Sequence, residues 1–223
     1  MCGRFAQQRP AADLAELFGA EPLAAEPGER PNVAPTDEAL VVVQRDDRRA
    51  IVPFRWGLIP HWADSPRIAA RTFNARVETV AATAAFRESF RRRRCIVPVD
   101  AFYEWQRDGR RASPFAIRRT DGAPMALAGL WSGWRDPSTG IVRRTFTIVT
   151  GPADDRIADL HDRMPLGLRP ESWSSWLDPA EADPAVLHAI LADADPAAFE
   201  RSAVDPSVVR VRPRSEELTL RLE

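Results

Sequence analysis

The chain has 223 residues, 44% hydrophobic and 28% charged, with a formal net charge of −1. That size and composition fit one globular domain with a good core, and the near-neutral balance excludes a global basic field as the basis of nucleic-acid binding. Two cysteines and three histidines, with no CxxC and no HExxH, provide neither a disulfide framework nor a zinc motif, and no stretch has the apolar length of a signal peptide or a membrane span.

A cytoplasmic protein without membrane partner, metal or cofactor is therefore expected. All 31 basic residues are arginine. No side-chain amine is available to form a Schiff base, so any amine chemistry falls to the α-amine.

The chain opens MCGRFAQ. Cys2 reads either as a small apolar residue at the start of a strand or as a nucleophile that becomes the first residue once Met1 is trimmed. Residues 13–18, DLAELF, read as a short helix, followed by the Pro-rich loop EPLAAEPGERPNVAPT. EALVVVQRDDRRAIVPFRWGL reads as a hairpin around Asp46-Asp47, and HWADSPRIAARTFNAR as irregular. From Glu78 the period changes: Val80, Ala84, Phe86 and Phe90 predict a helix ending in Arg91–Arg94, where the positive charge suits either the helix dipole or DNA.

CIVPVDAFYEW, SPFAIRRT, PMALAGLWSGW and RRTFTIVT then read as strands, with Asp-Gly turns at 108–109 and 121–122. ADDRIADLH reads as a helix, as do 171–178 and 184–193, and a strand pair near 208–212 and 217–222 closes the chain. Antiparallel strands with interspersed helices predict an α+β single domain over 1–223, built on a curled, barrel-like antiparallel sheet with peripheral helices.

Several residues can carry chemistry. In AFYEW, a strand places Phe102 and Glu104 on one face and Tyr103 and Trp105 on the other. Glu104 among aromatics is either a partly desolvated general acid or the partner of an arginine. In DLHDRMP, His161 falls at an expected helix end, which favours imidazolium or makes it a simple capping residue. In FNARVET, Asn74 can close a turn or act in a site, and Arg76 can hold a phosphate or a carboxylate. Trp62, in PHWADSP, is the best candidate for an exposed stacking platform of the kind that single-strand binding uses. His61 and His188 receive no role.

MCGRFAQ, RPNVAPT, WGLIPHW, FNARVET, RRCIVPVDAFYEW, AGLWSGW, FTIVT and LHDRMP occur in this order. The series resembles the SOS-response-associated peptidase family, the abasic-site processing proteins, from residue 1 to about 170 and more weakly beyond. The resemblance implies a catalytic set of Cys2, Asn74, Glu104 and His161, and DNA contacts from Arg4, Trp62, Arg76 and Trp105. It implies a barrel-like α+β domain whose partner is single-stranded DNA containing abasic sites, acting as a monomer. The family pattern departs at Ala101, where Gly is usual, at Gly151-Pro152, and in the C-terminal VVRVRPRSEEL, whose Arg210, Arg212 and Arg214 can serve a DNA backbone.

The implied chemistry is a covalent thiazolidine between an abasic-site aldehyde and the α-amine and thiol of Cys2. Lyase and self-processing peptidase activities accompany it. A peptidase of the N-terminal nucleophile type and a non-catalytic single-stranded DNA module are the competing functions.

Overall fold

A computed structural model describes residues 2–22, 28–109, 111–195 and 199–210. The strands are β1 (Phe5–Gln7), β2 (Ala20–Pro22), β3 (Arg30–Val33), β4 (Glu38–Arg45), β5 (Arg48–Trp56), β6 (Asn74–Arg76) and β7 (Arg94–Val99) in the first half. β8 (Ala101–Asp108), β9 (Arg111–Arg119), β10 (Met125–Arg135), β11 (Val142–Pro152), β12 (Arg163–Pro165) and β13 (Phe199–Ala203) follow. The helices are α1 (Ala11–Phe18), α2 (Arg87–Arg92), α3 (Trp173–Leu177) and α4 (Pro184–Ala192).

Five strands close a barrel in the order β11-β10-β7-β4-β5. Their neighbours are antiparallel except at the seam, where β5 meets β11 in parallel through Thr145↔Arg55 and Phe146↔Trp56. The barrel-like α+β expectation holds, with a mixed rather than wholly antiparallel sheet. β13-β9-β8-β1-β3 form a second sheet.

The run ALVVV in β4 is apolar without alternation because both of its faces are buried. Leu40 and Val42 face outward to α1, α3 and α4, where Leu14, Phe18, Trp176 and Leu187 cover the barrel. Ala39, Val41 and Val43 face inward with Cys95, Val97, Phe146 and Ile148. The inner face of the second sheet adds Phe5, Val33, Phe102 and Ile117 to that same interior. Cys2 joins this cluster. Gln7 is the polar pin between the sheets: its amide donates to the Leu40 and Pro98 carbonyls and accepts from the Leu40 N–H at 2.7 Å.

Four expectations need correction. The helix from Glu78 shrinks to α2. Residues 77–86 form successive turns, and β-branched Val77, Thr79, Val80 and Thr83 suit these better than a helix. Arg94 is a buried strand residue, not a helix-end cation; it donates to the Phe90, Trp176, Asp178 and Glu181 carbonyls. ADDRIADLH forms turns, because the Asp154 carboxylate accepts from the Arg156 N–H and offers the backbone a local alternative to helix.

The C-terminal strand pair is also revised: 206–209 form a turn, and residues 211–223 lie outside the described residues. β13, which pairs with β9 from Phe199↔Arg119 to Ala203↔Phe115, was not anticipated. Short β2 and β3 interrupt the expected Pro-rich loop. Among the described residues no helix is long and apolar enough to cross a membrane.

Candidate functional site

β1 brings the N-terminal segment across the barrel interior. Phe5 pairs with Phe102 and Ala6 with Ala101, and the Tyr103 N–H donates to the Arg4 carbonyl at 2.9 Å. This register carries Cys2 past the end of β1 toward the part of β8 that holds Glu104. Cys2 is fully buried, and its thiol reaches the Arg4 carbonyl at 3.6 Å. Burial, and then the nearby Glu104 carboxylate, push that thiol far above its ordinary pKa.

β6 adds to β11 in parallel, with Asn74 opposite Ile148. Phe73, just before it, is fixed because its carbonyl accepts from the Trp56 indole at 2.7 Å. The Asn74 side-chain amide donates to the Cys2 carbonyl at 2.7 Å. Its Oδ1 is buried and has no partner among the described residues.

Glu104 lies on the inner face of β8, 3% exposed, while Tyr103 and Trp105 pack on the other face. The strand reading of AFYEW is borne out. Burial pushes the Glu104 carboxyl above the ordinary carboxylate range; the positive charge of the chain's amino terminus pulls it back, and Asp162 raises it again. A carboxyl placed this way exchanges protons nearer neutrality than an exposed glutamate does.

His161 ends the turns that precede β12. Burial, followed by the charge of the amino terminus, depresses its pKa, with Arg163 and Arg107 acting in the same sense and Asp162 opposing. The expectation of a favoured imidazolium is therefore reversed: no helix dipole is present, and the surrounding charge is positive. Two contacts compete for Nδ1, the Arg163 N–H at 2.9 Å and the Asp162 carboxylate at 2.7 Å. One nitrogen cannot accept and donate at once. The backbone donor is fixed and Asp162 is 84% exposed, so the neutral ring with its proton on Nε2 is the favoured form.

Cys2, Asn74, Glu104 and His161 thus converge around the start of the chain. The other four expected residues are not all drawn into this cluster. Arg4 donates to the Gly3 carbonyl at 2.7 Å. Arg76 is exposed at the end of β6, opposite Thr150. Trp62 is 52% exposed in a loop held by the Trp134 indole, which donates to the Ala63 carbonyl at 2.6 Å. Trp105 is half-buried on the face of β8 turned away from Glu104.

Two residues escaped the sequence reading. The Arg163 guanidinium clasps Glu78, at 2.8 Å through one nitrogen, and donates to the Thr150 carbonyl at 2.7 Å. This clasp ties the chain after Asn74 to the chain after His161. Its signal was present as opposite charges a few residues beyond each site residue, in FNARVET and LHDRMP. Among the described residues no group of three His, Cys, Asp or Glu side chains is placed to hold a metal ion.

The family model for SOS response associated peptidase (SRAP) matches residues 1–211. The abasic site processing protein YoqW of Bacillus subtilis is 35% identical over 221 residues, covering 98% of each chain. The abasic site processing protein YedK of Escherichia coli is 37% identical over 182 residues, covering 79% of each. A crystal structure of a protein from Bacteroides thetaiotaomicron superposes with a TM-score of 0.80 at 25% identity, covering 95% of this chain and all of that one. The chain belongs to the SRAP family.

Proposed function

From this membership we propose that the protein processes abasic sites in single-stranded DNA, and that it does so by forming a covalent link through Cys2 after loss of Met1. The observation that carries the reading is the placing of Cys2: its carbonyl is held by Asn74 while its thiol lies within electrostatic reach of the buried Glu104.

The chemistry begins with the peptide bond between Met1 and Cys2. Water adds across it, releasing methionine and leaving the Cys2 α-amine. Glu104 interacts with the charge at the chain's amino terminus, which supports a proton-transfer role for it in this step. The family's name favours the same reading, with self-processing as the peptidase activity.

An α-amine has a pKa of about 7.7–8.0, so an appreciable fraction is unprotonated at neutral pH. The ring-opened abasic sugar presents an aldehyde. The amine adds to its carbon, and loss of one water gives an imine. Glu104 gives a proton to the departing oxygen and takes one back from nitrogen.

The Cys2 thiol then adds to the imine carbon. Its S–H proton ends on the ring nitrogen, closing a five-membered thiazolidine, a step favoured by its intramolecular geometry. We assign the first attack to the amine, because burial raises the thiol's pKa and disfavours thiolate in the resting site. A cysteine-peptidase nucleophile needs the opposite shift.

Asn74 fixes the Cys2 backbone and so the attack angle. Neutral His161 offers its Nε2–H to the sugar hydroxyl. Arg4 and Arg76 hold phosphates, and Trp62 and Trp105 stack bases. An imine that does not close its ring permits strand cleavage, the lyase branch. The protein then works in the cytoplasm, with the nucleoid when bound to DNA.

The test is a time course of denaturation-resistant adduct with an abasic single-stranded oligonucleotide, for wild type and Cys2→Ser. Wild type is expected to gain the oligonucleotide's mass less one water, and the serine variant to yield a labile imine only. A salt-sensitive shift without added mass would make the protein a binding module instead.

A further inference from the structure

Helix α2 carries Arg87, Glu88, Arg91 and Arg92, and Arg93 follows it. Its one carboxylate is already shared: Glu88 meets His61 Nδ1 and the Arg93 guanidinium, each at 3.0 Å. Arg87, Arg91 and Arg92 are exposed, and no carboxylate among the described residues pairs with them.

Arg87 and Arg91 stand four apart, a spacing at which like charges destabilise a helix, and this helix is only six residues long. On a chain whose net charge is −1, three uncompensated cations side by side form a local exception. Together with Ala81 and Glu88, whose carboxylate is already engaged, they line a cavity of about 370 Å³. The contact between His61 and Glu88 sets this ridge beside the loop that exposes Trp62, the residue next in sequence to His61.

We propose that the α2 ridge of Arg87, Arg91 and Arg92 is a phosphate track for single-stranded DNA, receiving the backbone that continues beyond the base stacked on Trp62. The occupant follows from the chemistry. Planar guanidiniums spaced along one helix match successive phosphodiesters, and an aromatic platform adjoins them, the combination that single-strand grooves use. A protein acid patch would need no stacking surface. The inference rests on the DNA reading given above and extends it from the reacting nucleotide to the flanking strand.

The test compares Arg91→Gln/Arg92→Gln with wild type, using oligonucleotides that contain a central uncleavable abasic analogue. One is roughly 5 nucleotides long and one roughly 15, lengths that bracket a single-strand site. Wild type is expected to bind the longer strand more tightly, with a steeper salt dependence. The variant is expected to lose most of that length gain, and its salt slope should fall by about 0.7 for each lost phosphate contact. Its melting temperature should not fall, and its adduct rate at saturating DNA should remain that of wild type.

An unchanged length gain and salt slope in the variant, with wild type still binding and cross-linking, would overturn the track while leaving the proposed function standing. If wild type binds neither length, both fail together.

Discussion

The two cysteines are buried to the same degree in the same interior cluster, yet their polar surroundings differ. Cys95 sits near the start of β7, where it pairs with Val43 of β4 and Gly129 of β10. Its sulfur fills the space over Gly129, 2.7 Å from where a Cβ there would stand, and burial alone raises its pKa. Cys2 has the same burial plus Glu104, a carbonyl partner on Arg4 and the Asn74 amide on its own carbonyl. Burial makes a thiol inert; what distinguishes Cys2 is the polar set around it, and the α-amine that the proposed loss of Met1 would give it.

The largest effect should separate the two thiols. Cys2→Ala keeps an α-amine and can form an imine, so it should cleave the strand but leave no stable adduct on a denaturing gel. Cys95→Ala should cross-link as wild type does and instead lose about 1–3 kcal/mol of stability in a urea titration, from the void left over Gly129. Equal adduct yield from both variants would erase the distinction.

Glu104→Gln preserves shape and removes proton exchange. Adduct formation should slow by about 10²–10⁴-fold while affinity for an uncleavable abasic analogue stays unchanged. Stability also responds. The folded carboxyl has a raised pKa, so the folded state holds its proton more tightly than the unfolded chain. Stability is then highest below the ordinary carboxylate pKa and falls as pH rises through the folded value. Glu104→Gln lacks this fall, so its melting temperature relative to wild type should rise with pH across that window. A difference that instead falls as pH rises would mark Glu104 as an ion-paired carboxylate, and a parallel profile would show that burial does not shift it.

Smaller effects sharpen the outer parts of the site. Trp62→Ala should cost about 1–3 kcal/mol of single-strand affinity and leave the adduct rate at saturation intact. Glu78→Gln loosens the Arg163 clasp. Because Arg163 hydrogen-bonds Glu78 and holds its pKa low, the pair's contribution is present above the ordinary carboxylate pKa and lost as pH falls through the lowered folded value. The pair is largely exposed on the Glu78 side, so its loss should cost under about 1 kcal/mol in urea.

Much of this was readable in the chain and some was not, for physical reasons. The β4–β5 hairpin announced itself by two apolar runs around Asp46, which adopts positive φ in the turn. β8 was legible because alternation separates Glu104 from Trp105. The stretch from Glu78 misled because Val80, Phe86 and Phe90 have helical spacing although most of it is turn; burial against the barrel, not helix formation, selects those apolar positions. Arg94 reads as one more member of a charge run, and only the tertiary fold supplies the four carbonyls that bury it.

The four site residues were named through resemblance. Their convergence depends on the β1–β8 register and the parallel β6–β11 pairing, which link positions far apart in sequence and which no local pattern encodes. Of the two readings of His161, the imidazolium one assumed a helix end, and the fold has turns there instead.

The most direct measurement is mass mapping of the N-terminal peptide after reaction with abasic single-stranded DNA, denaturation and nuclease trimming. The account predicts a peptide that begins at Cys2, lacks Met1, carries the sugar remnant less one water and offers no thiol to an alkylating reagent. An adduct on a peptide that retains Met1, or one mapped away from Cys2, would contradict it.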